Sequence, residues 1–214
     1  DVEAARRTLQ AAEGKVPHSE LLSDFSAAFF TRALFRTLHD DYAEVIREQT
    51  VADFGADTPA YYLTKADLFT QQDDPQRARA YCDSARRALE PRVREAAELD
   101  VPHSQLALAY AGLGMGEEAI REASLATELL PLSRDAFYGT DPVTDLARVY
   151  VTFGEHDAAL DQIEMLLAIP GWLSTHWLTL DPVWQPLHDH PRFRALLQES
   201  SEGSGRAARQ EDFE

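Results

Sequence analysis

Two stretches of the chain carry the same design at a fixed interval, and this repetition limits the fold more than any other feature. LALAYAGLGMGEEAIREASLA, from Leu106, aligns without gaps on LARVYVTFGEHDAALDQIEML, from Leu146. Leu106, Ala107, Tyr110, Gly114 and Ala119 thereby meet Leu146, Ala147, Tyr150, Gly154 and Ala159. An older copy lies 41 residues earlier, with Ala66, Phe69, Ala78 and Ala85 at the places of Ala107, Tyr110, Ala119 and Ala126. It turns at Asp73, Asp74 and Pro75 where the later copies have glycine. Ala33, Asp41, Tyr42 and Val45 keep the same spacing, and the opening DVEAARRTL reads as the second half of a further unit. The chain thus holds about four and a half units, the mark of a stacked-repeat architecture.

One unit reads as a pair of antiparallel helices. Leu106, Ala107 and Tyr110 fall on one face of the first helix, and Ala119, Ala123 and Ala126 on one face of the second. Small alanines let the two backbones approach, and Tyr110 fills the space that opens between them. Glycine at 114 and 154 permits the left-handed backbone that ends a helix, and acidic residues then open the next one, where the helix dipole favours them. Composition agrees: Ala (32) and Leu (26) supply 58 of the 95 apolar residues, against 14 for Val and Ile together. Unbranched side chains lose less freedom in a helix, so a β-sandwich or a Val/Ile-rich parallel sheet fits poorly. The expected fold is all-α, a solenoid, because one pair cannot bury both its faces alone.

This spacing of large and small residues resembles the tetratricopeptide repeat, whose usual period is ~34 residues. The period here is longer, as the step from Leu106 to Leu146 shows, so extra residues lengthen helices or connections in each unit. The resemblance covers residues 1 to about 170 and implies a right-handed superhelix. The first-helix Trp of that repeat is absent, with Tyr62, His103 and Val143 in its place.

A second resemblance lies downstream. ELLPLSRDAFYGTDPVTDLARVYVTFGEHDAALDQIEMLLAIPGWLS, followed by LDPVWQPLHDHPRFRALL, is similar to the C-terminal region of bacterial multidomain signalling proteins. In that family a serine/threonine kinase, a nucleotide cyclase or a winged-helix DNA-binding domain precedes a tetratricopeptide solenoid. The closing segment there reads D-P-x-x-x-P-L-R-x-x-P-R-F; Asp181, Pro182, Pro186, Leu187, Pro191, Arg192 and Phe193 match it, while His188 replaces the first Arg. No Gly-rich phosphate loop, HRD-type loop or DFG occurs in the sequence. The chain opens at Asp1 on a helical pattern, so it is expected to be a piece of a longer protein.

Three regions are expected: repeats over 1–174, the first incomplete; a C-terminal cap over 175–200; and a disordered tail over 201–214. Residues 170–199 hold Trp172, Trp177 and Trp184, all the tryptophans, and four of the 11 prolines, as a cover for an apolar solenoid end would. Pro191 suits the first turn of a last helix that turns Phe193, Leu196 and Leu197 inward. The tail has Gly/Ser spacing and no apolar period.

Charge narrows the partners. Twenty Lys and Arg against 37 Asp and Glu leave −17, and the densest basic run, Arg86, Arg87, Arg92 and Arg94, is interrupted by Glu90, Glu95 and Glu98. Such a chain is repelled by a phosphate backbone or an anionic lipid surface, so neither nucleic acid nor membrane insertion is expected, and no run reaches the ~18 apolar residues that span a bilayer. Two lysines among 20 basic residues point weakly to a GC-rich or salt-adapted source. Cytoplasmic placement is expected, or extracytoplasmic where a membrane helix precedes the region in its parent.

Residues that resemble chemistry have structural readings. Cys82 sits at a second-helix core position, between Ala78 and Ala85, as a small hydrophobe without a paired His. His176, His188, Asp189 and His190 fit no zinc spacing. Acidic pairs at 40–41, 73–74 and 117–118 stand at turns and helix starts. No catalytic residue, metal or cofactor is therefore expected. A concave face of first helices would bind a protein or peptide, one with basic segments associating fastest; Phe30, Leu34, Leu63, Asp67, Leu108, Arg148 and Thr152 fall near that face. Arg32, Lys65 and Arg148 are the basic residues there, too few for a clamp on a terminal carboxylate. The expected role is a non-catalytic interaction or sensing module of a bacterial signalling protein, a serine/threonine kinase first. The alternatives are a self-association module, or the repeat region of a cyclase or transcriptional regulator.

Overall fold

The computed structural model describes residues 42–198 except 56, 170 and 172, together with Arg7. The elements are α1 (Tyr42–Glu48), a 3-10 turn (Val51–Phe54), α2 (Thr58–Gln71), α3 (Pro75–Glu95), α4 (Asp100–Leu113), α5 (Gly116–Leu129), α6 (Thr140–Thr152), α7 (His156–Leu167), α8 (Thr175–Leu180), a 3-10 turn (Pro182–Leu187) and α9 over 191–198. Among the described residues there is no strand, and the fold is all-α. Helix α2 packs on α3, α4 on α5 and α6 on α7, while α3 meets α4 and α5 meets α6. The first helices also touch in turn, α2 on α4 and α4 on α6. Only a short turn connects the helices of a pair, which makes them antiparallel. No helix of the described residues is long and apolar enough to cross a membrane.

The turns repeat bond for bond. Met115 N donates to Tyr110 O (3.0 Å) and Gly114 N to Ala111 O (3.0 Å); at the equivalent place in the next unit, Glu155 N donates to Tyr150 O (2.9 Å) and Gly154 N to Val151 O (3.1 Å). Both glycines have φ 75°, the left-handed conformation this helix ending requires. The same closure ends α2, with Asp74 N on Phe69 O (2.9 Å) and Asp73 N on Thr70 O (3.2 Å). There the left-handed residue is Asp73, at φ 54°. Asp tolerates that region better than most side chains but less well than glycine. Its neighbour Asp74 then caps α3, accepting from Arg77 N (3.0 Å).

Successive units distribute their length differently. In the first full pair it extends the second helix, since α3 has 21 residues where α5 has 14. In the next pair it forms the connection over 130–139. That connection is tied down: Arg134 N donates to Pro131 O (2.9 Å), Gly139 N to Asp135 O (3.0 Å), and Asp135 Oδ1 accepts from Phe137 N and Tyr138 N (2.9 Å each).

Alanines at the helix contacts, among them Ala85, Ala107, Ala119, Ala123, Ala126, Ala147 and Ala159, are wholly buried. Tyr110 is buried beside them, its hydroxyl donating to Glu90 Oε1 (3.3 Å). His103 is buried with Nδ1 2.7 Å from Glu122 Oε2 and Nε2 3.2 Å from Ala97 O. Helix α6 belongs to two cores: Leu146 and Val149 join the preceding pairs, while Val143, Ala147 and Val151 pack with α7 and the C-terminal segment. That segment contributes Leu173, Trp177, Leu178, Trp184, Leu187 and Phe193 to the second core. Arg192 ties α9 to α7 through Glu164 (2.7 Å) and Asp161 (2.6 Å), and the His188 ring stacks on Phe193 with centroids 5.5 Å apart. Ala33 and Asp41, the opening DVEAARRTL apart from Arg7, Trp172 and the tail over 201–214 lie outside the described residues, while Tyr42 and Val45 fall in α1.

Replacing Asp73 by Gly should raise stability by ~1 kcal/mol by relieving the left-handed backbone. Ala119→Leu and Ala159→Leu should each lower it by ~1–3 kcal/mol through overpacking. Urea melts of the full chain measure all three; wild-type midpoints for both leucine variants would refute the register of the helix contact.

Candidate functional site

Consecutive first helices of the pairs form one wall, and a groove of about 220 Å³ runs across it. Leu63, Ala66, Asp67 and Thr70 line it from α2, Leu108 and Ala111 from α4, Arg148 and Thr152 from α6, and Val183 from the second 3-10 turn. Cys82 reaches it from α3. Leu63, Asp67, Leu108, Arg148 and Thr152 thus come together in one groove, whereas Phe30 and Leu34 lie outside the described residues.

These five differ in what they present. Thr152 is exposed and Asp67 and Leu108 are half-buried, but Leu63 and Arg148 are buried. Arg148 faces inward because Asp181 reaches it: Nη2 and Oδ2 stand 3.9 Å apart, both side chains nearly out of solvent. Asp181 also accepts from Val183 N through Oδ1 (3.1 Å), capping the 3-10 turn that closes the groove's end. Arg148 is thus a floor residue that joins α6 to the C-terminal segment.

Lys65 is likewise consumed. It is 5% exposed, and its Nζ donates to Ile46 O (2.6 Å) and Arg47 O (2.9 Å), closing the last carbonyls of α1. Burial pulls this ammonium below the usual lysine range. Arg32 lies outside the described residues, so neither described member of that basic trio projects a charge into solvent for a terminal carboxylate.

Several reactive or polar groups of the groove are engaged within the chain. Burial pushes the Cys82 thiol up to about 11, which keeps it protonated near neutrality and poorly nucleophilic. The Thr70 and Thr152 hydroxyls donate back to Ala66 O and Arg148 O (2.9 Å each), which leaves their oxygen lone pairs as acceptors. Asp67 holds Gln71 Nε2 at 2.9 Å. No three His, Cys, Asp or Glu side chains among the described residues converge as a metal site would need.

Sequence reasoning missed Thr70 and Val183. Thr70 falls one helical turn beyond Asp67 on the same face, and could have been read from that spacing. Val183 had no signal, because it reaches the groove only through the folding back of the C-terminal segment.

Arg148→Met should destabilise the chain by ~3–5 kcal/mol by leaving Asp181 buried without its cation. Adding Asp181→Asn, which keeps the cap on Val183, should recover part of the loss. Urea melts at neutral pH test this, and a single variant as stable as wild type would show that the pair does not hold the segment in place.

No protein-family model and no curated protein matches the chain.

Proposed function

We propose that the chain is a non-catalytic interaction module: a tetratricopeptide-like solenoid, right-handed by resemblance, whose first-helix groove takes a short extended peptide of a partner protein. The observation that carries this reading is the convergence of Leu63, Asp67, Leu108, Arg148 and Thr152, from three successive first helices, on one groove. Apolar walls would take an aliphatic side chain, while Asp67 and the threonine oxygens would accept from peptide N–H groups. Resemblance of the closing segment to bacterial multidomain signalling proteins supports a place in such a protein, with a serine/threonine kinase as the preferred parent.

Panning a random peptide library on the wild-type chain tests the reading, with a Thr70→Trp, Thr152→Trp variant as the filled-groove control. Both threonines are exposed, so the rings obstruct the groove without entering the core. Enriched peptides should lose about tenfold or more in affinity for the variant, the loss of ~1.4 kcal/mol expected when an anchor has no pocket. Peptides that bind both proteins equally, or no enrichment at all, would remove the groove from consideration.

A further inference from the structure

A second concavity, of about 270 Å³, lies between the N-terminal halves of α4 and α6 and is closed by the 130–139 connection. Its polar lining is mostly carboxylate: Asp100 from α4, Asp135 from the connection, and Asp141 and Asp145 from α6. Among the described residues no lysine or arginine lines it. Asp100 and Asp141 stand in first helical turns and Asp135 holds its own turn, so three of the four have a local structural reason. Asp145 sits deeper, 6% exposed, in the middle of α6.

Acidity alone would not make this a site, but two independent observations point to a ligand. Ser104 also lines the pocket, is 6% exposed, and its hydroxyl has no hydrogen-bond partner among the described residues. A buried hydroxyl without a partner is costly unless a donor or acceptor arrives from outside. The rim, moreover, is apolar and exposed. Phe137 and Tyr138, 69% and 61% exposed, meet edge to face with centroids 5.1 Å apart, and Leu99 and Val101 stand exposed at the start of α4. Of these, Val101 and Tyr138 line the pocket itself, and Phe137 joins them through its contact with Tyr138, so exposed apolar side chains border the carboxylates as they do at interaction surfaces.

We infer that this pocket receives an arginine side chain, carried next to an apolar residue on an exposed segment of a partner protein. The volume falls below the ~300–1,000 Å³ of typical small-molecule pockets and suits one long side chain. Carboxylates on facing walls match the forked donors of a guanidinium, the Ser104 oxygen accepts a further N–H, and the Tyr138 ring offers a face on which that planar cation stacks. An ammonium would gain less from the fork and the ring. The neighbouring apolar residue covers Val101 and Phe137. A second copy of this chain is the poorer occupant, because two molecules of charge −17 repel. The inference does not rest on the first-helix groove, with which the pocket shares only Leu108.

The test is an amide-resolved NMR titration of the full chain with acetyl-Leu-Arg-Leu-amide and its citrulline counterpart, which keeps the shape and loses the charge. The arginine peptide should shift Ser104, Gln105 and Tyr138, bind about tenfold or more tighter than the citrulline peptide, and weaken as salt rises from about 0.05 to 0.5 M. Asp100→Asn with Asp141→Asn should abolish the preference for arginine. Should that pair fail to fold, Tyr138→Ser, at an exposed position, should still weaken arginine binding by several-fold. The Thr70→Trp, Thr152→Trp variant should bind the peptide as wild type does, which separates this site from the groove. Equal binding of the two peptides, or shifts confined to other helices, would overturn the inference. So would concentration-dependent shifts of the same amides without peptide, since the occupant would then be a second copy.

Discussion

Paired helices meet here through alanine, and the remaining architecture is arranged around that contact. A methyl group contributes only about 0.8 kcal/mol of transfer free energy, so the residue's main value lies in distance. With Ala107, Ala119 and Ala123 in one core cluster and Ala147 and Ala159 in the other, all wholly buried, the helix axes can approach to the lower end of the ~8–10 Å range. Close pairs leave the first helices free to touch one another, α2 on α4 and α4 on α6. The wall they build carries both the groove and the acidic pocket. A larger side chain at one alanine would open one pair and shift the wall on which both depend.

That same spacing is why the fold was legible in the sequence. Leu106, Ala107, Tyr110, Gly114 and Ala119 recur at a fixed interval, and each recurrence lands on an equivalent backbone hydrogen bond or a buried contact. Asp73 was legible only in part, as a turn without glycine; its left-handed backbone shows that the closure, rather than the glycine, is what the repeat preserves. Helix α6 was less legible. Its Thr140, Thr144, Asp145 and Arg148 look like a solvent-facing stripe but are buried: Asp145 lines the pocket against α4, and Arg148 meets Asp181 of the C-terminal segment that covers this end. The threonines tolerate this by donating to carbonyls within reach, Thr144 to Thr140 O and Thr140 to Phe137 O. Periodicity detects such a stripe and cannot tell water from a covering segment.

Much of the groove was legible for the same reason, since counting around a first helix from its core positions fixes a face. What the count could not supply was depth. Leu63 and Arg148 sit at the correct angle, but one is pressed into the core and the other is drawn down by Asp181, whose position depends on a chain reversal far along the sequence. The acidic pocket escaped altogether. Its carboxylates look like helix-start residues taken one at a time, and three of them have such local roles; only the fold brings Asp100, Asp135 and Asp141 to one concavity.

Where the length of each unit goes decides what the wall displays. In α3 it prolongs a helix, whose added turns keep helical periodicity and pair charges along its surface, as Arg94 does with Glu90. In the 130–139 connection the same allowance is free of that periodicity. It can therefore place Phe137 and Tyr138 in solvent beside a pocket, which a helix face engaged in stacking cannot do without exposing its own core. The connection is still held, by Asp135 and by the Thr140 hydroxyl at the start of α6, so its rings are presented on a fixed base. Changes at its exposed rings would alter the displayed surface while leaving the alanine contacts intact, and in this architecture the stability of the wall and the chemistry it displays are therefore set by separate residues.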